Sequence, residues 1–287
     1  MHHPFLSRLG KCFLILLCAA GVLSGGFLLL CRRGYLDPAA LRGQEPAQSA
    51  SAPAAIRVEA APLPTRAVFL APEELDQAPA SGAVVVTMKA GDGSLGYVSA
   101  LPLAADLGAS SGDPARNAAL AVLNHSPDLH TVALVSCLRD GAAAQADGMA
   151  LARVSGSPWL DETHTGWLDP TRPEVQDYLI GICRELAQLG FDEILLTHCC
   201  WPTGGDQASL PQRTERAEAL ETFCRRLQGA LADRPVLLSV KGEADDGALA
   251  PQSGQTAGLL ATFARVWASG EDTAALAAFR PVLLPEE

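Results

Sequence analysis

No CxxC pair occurs in the 287 residues, so a structural zinc site has no support. Three cysteines, Cys12, Cys18 and Cys31, fall in one apolar run. The others, Cys137, Cys183, Cys199, Cys200 and Cys224, are odd in number and irregular in spacing, which is not a disulfide framework. A basic stripe is also missing. The chain carries 21 Lys+Arg against 32 Asp+Glu, a formal net charge of −11. Such a surface repels nucleic acid and anionic lipid, because both need a basic footprint. The glycine-rich stretch GDGSLG (Gly91–Gly96) lacks the Lys-Ser/Thr ending of a phosphate loop and does not match GxGxxG, so it reads as a turn. A lipobox is absent too, since Cys18 and Cys31 follow bulky leucines.

Charge is absent from Cys12 to Cys31 altogether, and that is informative. At ~1.5 Å per residue a helix of this run covers the ~30 Å hydrocarbon core. A cleaved signal has a shorter apolar part, ~7–15 residues. Arg32 and Arg33 close the run where a cleavage site would need small residues. The expectation is an uncleaved single-pass anchor. Arg8 and Lys11 precede it and two arginines follow, so the positive-inside rule gives nearly a tie on orientation. The stretch through Gly34 holds four basic residues and no acid, which leaves the remainder at a net −15. Leu36 to Thr65 is rich in Ala, Pro, Ser and Gln and reads as a flexible tether; Pro46, Pro53, Pro62 and Pro64 disfavour a helix. The expected organisation is therefore 1–34 anchor, 35–65 tether and 66–287 folded domain.

From Arg66 short apolar runs alternate with amphipathic segments. Strands are expected at Ala67–Leu70, Ala83–Lys89, Thr131–Leu138, Glu193–Cys199, Val236–Lys241, Arg265–Ala268 and Pro281–Leu284. Most lack in/out alternation, as strands buried on both faces do. Val175, Tyr178, Leu179, Ile182, Leu186 and Leu189 share one helical face, with Thr171 and Glu174 as a capping box and Gly190 as terminator. Ala217, Leu220, Phe223, Leu227 and Leu231 repeat the pattern, with Ser209 and Gln212 as the second box. Helix followed by strand is βαβ logic. About seven strands suit a (β/α)8 TIM-type barrel, complete or one strand short, or an open doubly wound sheet.

Trp167 to Pro202 reads WLDPTRPEVQDYLIGICRELAQLGFDEILLTHCCWP. It resembles the bacterial glycoside-hydrolase-like family of TIM-barrel type, often known only as a domain of unknown function. That family has Trp-x-Asp-Pro, a helix with Tyr and Glu, then Gly-Phe-Asp-Glu-Ile and a strand ending Asp-Tyr-x-Arg-Phe-Pro. VVVTMKAGDGSLGYVS, VALVSCLRDGAAA and LLSVKG match other strands of the family in the right order, from about Arg66 to Gly242. The departures are specific. Thr197 stands for the family's strand-end Asp, His198 for its Tyr, Cys200 for its Arg and Trp201 for its Phe. Thr87 stands for the Asp of Asp-x-Lys, while Lys89 remains. Glycosidases ordinarily use two carboxyl groups. Two are missing where the resemblance would place them, so a catalytically degenerate barrel that binds glycan or protein is the alternative to an active hydrolase.

In a barrel, chemistry gathers at the C-terminal ends of strands. Lys89, Arg139, Asp140, His198, Trp201, Lys241 and Glu243 would lie there. Lys89 could orient a substrate or be a solvated strand-end lysine. Arg139 and Asp140 read as a substrate clamp or a local loop ion pair. Glu243 is the best surviving strand-end acid, in an acidic loop. Asp192 and Glu193 begin a strand, so capping or ion pairing at the barrel bottom is expected. Glu185 reads as a solvated helix face or a local pair. Adjacent strand residues face opposite sides, so Cys199 and Cys200 cannot readily share a ligand set and read as buried small hydrophobes. Trp201 either stacks on a sugar or plugs the barrel mouth. Expected catalytic candidates are Glu243, Asp140 and Asp169. Expected substrate contacts are Lys89, Arg139, His198, Trp201 and Lys241. No cofactor or metal is implied. The partners implied are the membrane and a polysaccharide of the cell envelope, with the C-terminal domain outside the cell membrane.

Overall fold

The computed structural model describes residues 67–211 and 215–285. The apolar run at 12–31 and the tether at 35–65 lie outside the described residues. Among those described, no helix is long and apolar enough to cross a membrane. The strands are β1 Ala67–Leu70, β2 Gly82–Lys89, β3 Leu129–Ser136, β4 Glu193–Thr197, β5 Leu237–Lys241, β6 Ala244–Asp245, β7 Ala248–Leu249, β8 Val266–Ala268 and β9 Val282–Leu283. The α-helices are α1 Pro102–Asp106, α2 Arg116–Asn124, α3 Pro173–Gln188, α4 Arg216–Leu231 and α5 Ala257–Leu260.

One parallel sheet runs in the order β1-β2-β3-β4-β5-β8-β9, with β6 and β7 as an inserted antiparallel hairpin. Each sheet strand adds beside its predecessor, always in one direction. A doubly wound sheet would reverse at a switch point. None exists here, so the winding is of the barrel kind. All seven expected strands form. No pairing joins β1 to β9 among the described residues, so the sheet is a seven-stranded half-barrel and not a closed (β/α)8 barrel. The shortfall has a local cause. β8 and β9 are three and two residues long, and they are linked by a 3-10 turn where a crossover helix would stand.

The central strands are covered on both faces: Val84, Val85, Val86, Ile194, Leu195 and Leu196 are fully buried. Side chains alternate across each strand, and this splits the core in two. Val84, Val86, Ala133, Val135, Ile194, Leu196 and Val240 pack with the apolar faces of α3 and α4. Val85, Val132, Leu134, Leu195 and Trp267 cluster on the other, helix-free face. The same parity carried up the strands brings Ser136, Thr197 and Lys241 onto that inner face at its C-terminal end. β2 breaks step between Thr87 and Lys89, where its register with β3 shifts.

Both helices begin differently from expectation. α3 starts with Pro173 after an extended Arg172, without a side-chain cap. Thr171 instead donates to Asp169 Oδ1 at 2.6 Å, so the Thr171–Glu174 box is not made. α4 starts after Glu215, also without a side-chain cap, and Ser209 lies in a separate 3-10 turn. Gln212 lies outside the described residues. Gly190 ends α3 as expected, at φ +89°, where other residues would be strained.

Candidate functional site

Lys89 is the most deeply placed charge at the strand ends. It is not a solvated lysine: its ammonium lies 2.9 Å from Asp140 Oδ2, and neither side chain is exposed. It also donates to the Ser136 carbonyl at 2.6 Å. Asp140 Oδ1 accepts from the Ala143 amide at 2.7 Å. The GDGSLG turn makes room for this pair. A Cβ on Gly93 would come within 2.4 Å of Asp140 Oδ1, and one on Gly91 within 2.2 Å of an Arg139 guanidinium nitrogen. Asp140, a candidate acid by sequence, is thus enclosed in an ion pair.

Arg139 and Asp140 do not pair with each other. Arg139 reaches Asp161 Oδ2 at 2.7 Å and the hydroxyls of Thr163 and Thr165 at 2.7 and 2.9 Å. Burial alone would raise the Asp161 pKa. Hydrogen bonds from Arg139, Thr163, Thr165 and Trp167 overcome it and hold this carboxyl well below the usual range. Trp167 packs edge-on against His198, 5.7 Å between centroids.

His198 follows β4 with φ +49°, a left-handed conformation uncommon outside glycine and concentrated at functional positions. Its Nδ1 lies 3.1 Å from Ser136 Oγ, which is also 2.8 Å from the Arg139 carbonyl. A carbonyl only accepts, and the serine has one proton. Both contacts are satisfied when Ser136 donates to Arg139 and His198 Nδ1–H donates to Ser136, which leaves Nε2 as an acceptor. Burial, with Arg139, Lys241 and Lys89 nearby, lowers the His198 pKa to about 4, so the ring is neutral at physiological pH.

Lys241 ends β5 and faces two carboxylates, Glu243 Oε2 at 3.5 Å and Asp272 Oδ2 at 3.7 Å. Those two legs allow at most 7.2 Å between the two carboxylate oxygens. Burial raises the Glu243 pKa, helped by Asp272 and opposed by Lys241. Gln255 fixes the backbone here. It accepts from the Glu243 amide at 2.8 Å and donates to the carbonyls of Lys241 and Cys199 at 3.0 and 3.1 Å.

The remaining candidates are placed elsewhere. Asp169 is buried at the approach to α3 and accepts from the Thr171 amide and hydroxyl. Trp201 is 2% exposed, with its indole nitrogen on the Arg216 carbonyl and the Arg216 guanidinium 5.6 Å from its ring. It sits as a plug, not as an open stacking platform. Thr197 is buried and its hydroxyl points to the Val135 carbonyl. Glu193 lies at the opposite end of the sheet, bonded to His130 and Trp267 at 2.9 Å each. Glu185 is no solvated helix acid: it accepts from Tyr97, Ser99 and the Ala100 amide. All five described cysteines are free and buried. Among the described residues no cluster could hold a metal ion. A cavity of about 650 Å³ opens in the excursion between β3 and α3, lined by Ala144, Ala150, Leu160, His164 and Arg172 among others. None of the expected site residues lines it.

The strand mouth therefore joins Lys89, Arg139, Asp140, His198, Lys241 and Glu243, with three partners that sequence reading missed: Ser136, Asp161 and Asp272. Asp272 follows the β8 strand end, so the strand-end rule could have found it. Asp161 sits deep in a loop excursion and carries no such signal.

Residues 74–257 match the family described as "Putative glycosyl hydrolase domain". Among solved structures, a hypothetical protein from Ruminiclostridium thermocellum is 26% identical with TM-score 0.51; the match covers 60% of this chain and 96% of that one. The PgaB (BpsB) glycoside hydrolase domain from Bordetella bronchiseptica is 15% identical with TM-score 0.52, over 76% of this chain and 82% of that one. The latter likeness shows the fold alone. No curated protein matches the chain.

Proposed function

Because the chain belongs to the family of glycosyl hydrolase domains, we propose that its strand mouth takes up a polysaccharide and cleaves it with Glu243 as proton donor. The carrying observation is the pair across Lys241. Glu243 is partly buried and raised in pKa, the property of a general acid, and Asp272 lies across the same ammonium. In the reaction Glu243 gives its proton to the glycosidic oxygen as that bond breaks. Asp272 serves the anomeric side, as base for an attacking water or as nucleophile. The neutral Nε2 of His198 accepts from a sugar hydroxyl. Arg139, held by Asp161, shapes the adjoining wall.

A second reading has its own observation. Thr197 stands at the end of β4 where the resemblance places an acid, and its buried hydroxyl is turned toward a backbone carbonyl. On this reading the mouth binds glycan without cutting it. One sample decides: wild-type protein is incubated with purified envelope polysaccharide, and both retention and new reducing ends are measured. Binding with release supports hydrolysis. Binding without release supports the second reading, and the absence of both binding and release would leave the mouth without a glycan role.

The location belongs to the same proposal. The uncharged run at 12–31 anchors the chain, and the tether lets the domain work on surface glycan outside the membrane. Protease treatment of intact cells should remove the domain; full protection would overturn the outside placement.

A further inference from the structure

Cys199 and Cys224 are unconnected by any role in the glycan site, yet their sulfurs are in contact. Cys199 immediately follows the strained His198 at the mouth, and Cys224 lies midway along α4. Both are fully buried or nearly so, and the two Sγ atoms are 3.7 Å apart. A disulfide needs an S–S distance of ~2.03–2.05 Å, so each sulfur has to move by less than ~1 Å. We propose that Cys199 and Cys224 form a disulfide that ties the end of β4 to α4.

The chemistry is thiol–disulfide exchange with a small disulfide such as oxidised glutathione. One thiolate attacks the reagent to give a mixed disulfide and expels one glutathione thiolate. The second cysteine displaces the other, so two protein thiols are oxidised and one reagent disulfide is reduced to two thiols. Buried thiols react slowly, so closure takes place while the chain folds, before α4 seals the pair. Cys137 also neighbours Cys199. It is 62 residues away in sequence where Cys224 is 25, and the shorter loop costs less entropy to close.

The consequence falls on the mouth. The Cys199 carbonyl already accepts from Gln255, which also holds the Glu243 amide. A covalent link adds a side-chain tether to a backbone segment that carries His198. The oxidised protein should melt at a higher temperature and resist protease longer than the reduced one.

The test uses the full chain, refolded with a reduced/oxidised glutathione pair and mapped by mass spectrometry without reduction. Neither glycan nor membrane placement enters, so its result is independent of the proposed function. A cross-link should join the tryptic peptide 185–213 to 217–225. It should persist in Cys200→Ala, be lost in Cys199→Ala, and the Tm gain on oxidation should vanish in Cys224→Ala. Free thiols throughout in the oxidised wild type, or a link from Cys199 to Cys137 alone, would overturn the proposal even if a variant fails to fold.

Discussion

Lys89 and Asp140 meet 2.9 Å apart with no solvent on either side chain. Removing one partner of such a pair strands a buried charge, at a cost of about 3–5 kcal/mol. Lys89→Met should therefore lower unfolding stability in urea by that order. Replacing both partners by apolar residues should be much milder.

Gly93 approaches that pair from the turn. Its φ of +100° and the 2.4 Å Cβ distance to Asp140 Oδ1 act together, because Lys89 keeps Asp140 from moving aside. Gly93→Ala should cost about 1–3 kcal/mol or more from overpacking and backbone strain. Gly91→Ala meets only the far end of the Arg139 side chain and should cost less. Parallel denaturation curves of the two variants test the contrast.

His198 sets a pH dependence. Its folded-state value of about 4 lies below the ~6.5 of an unfolded histidine. Between those values the unfolded chain binds a proton that the folded one refuses. Stability therefore falls as pH drops from about 6.5 to 4, and His198→Asn should flatten that slope. Chemical denaturation at stepped pH measures it.

Glu193 works in the acid range. Burial would raise its pKa, but bonds from His130 and Trp267 and the charge of Arg265 help to lower it. Its contribution is present above the unfolded value of ~4.3 and is lost as pH falls through the folded one. Trp267→Phe removes one bond to a charged acceptor, worth about 1.5–3 kcal/mol. Acid unfolding of this variant should begin at a higher pH, read by circular dichroism.

The strands were legible because their apolar runs are short, bounded and unalternating, and all seven formed within two residues or so at each end. The helical spacing of apolar residues from Val175 to Leu189 gave α3. The capping boxes failed because Thr171 found Asp169 and Ser209 found the Asp206 carbonyl. Local competition of this kind leaves no periodic trace. Strand-end logic located Lys89, Arg139, His198, Lys241 and Glu243 at one mouth. It could not see that Asp140 is closed off, that Trp201 faces inward, or that Asp161 folds back from a long excursion to clamp Arg139. Closure was left open by the strand count, which allowed a barrel complete or one strand short, because apolar runs mark strands and not the pairing of the first with the last.

In the proposed reaction Glu243 delivers the proton at the glycosidic bond. The direct measurement is the rate of reducing-end release from a bound polysaccharide by wild type and Glu243→Gln, with retention measured on the same samples. Glu243→Gln should retain binding and release reducing ends at a rate lower by about 10²–10⁴-fold, the usual worth of a positioned general acid. Release at the wild-type rate by Glu243→Gln would contradict that role.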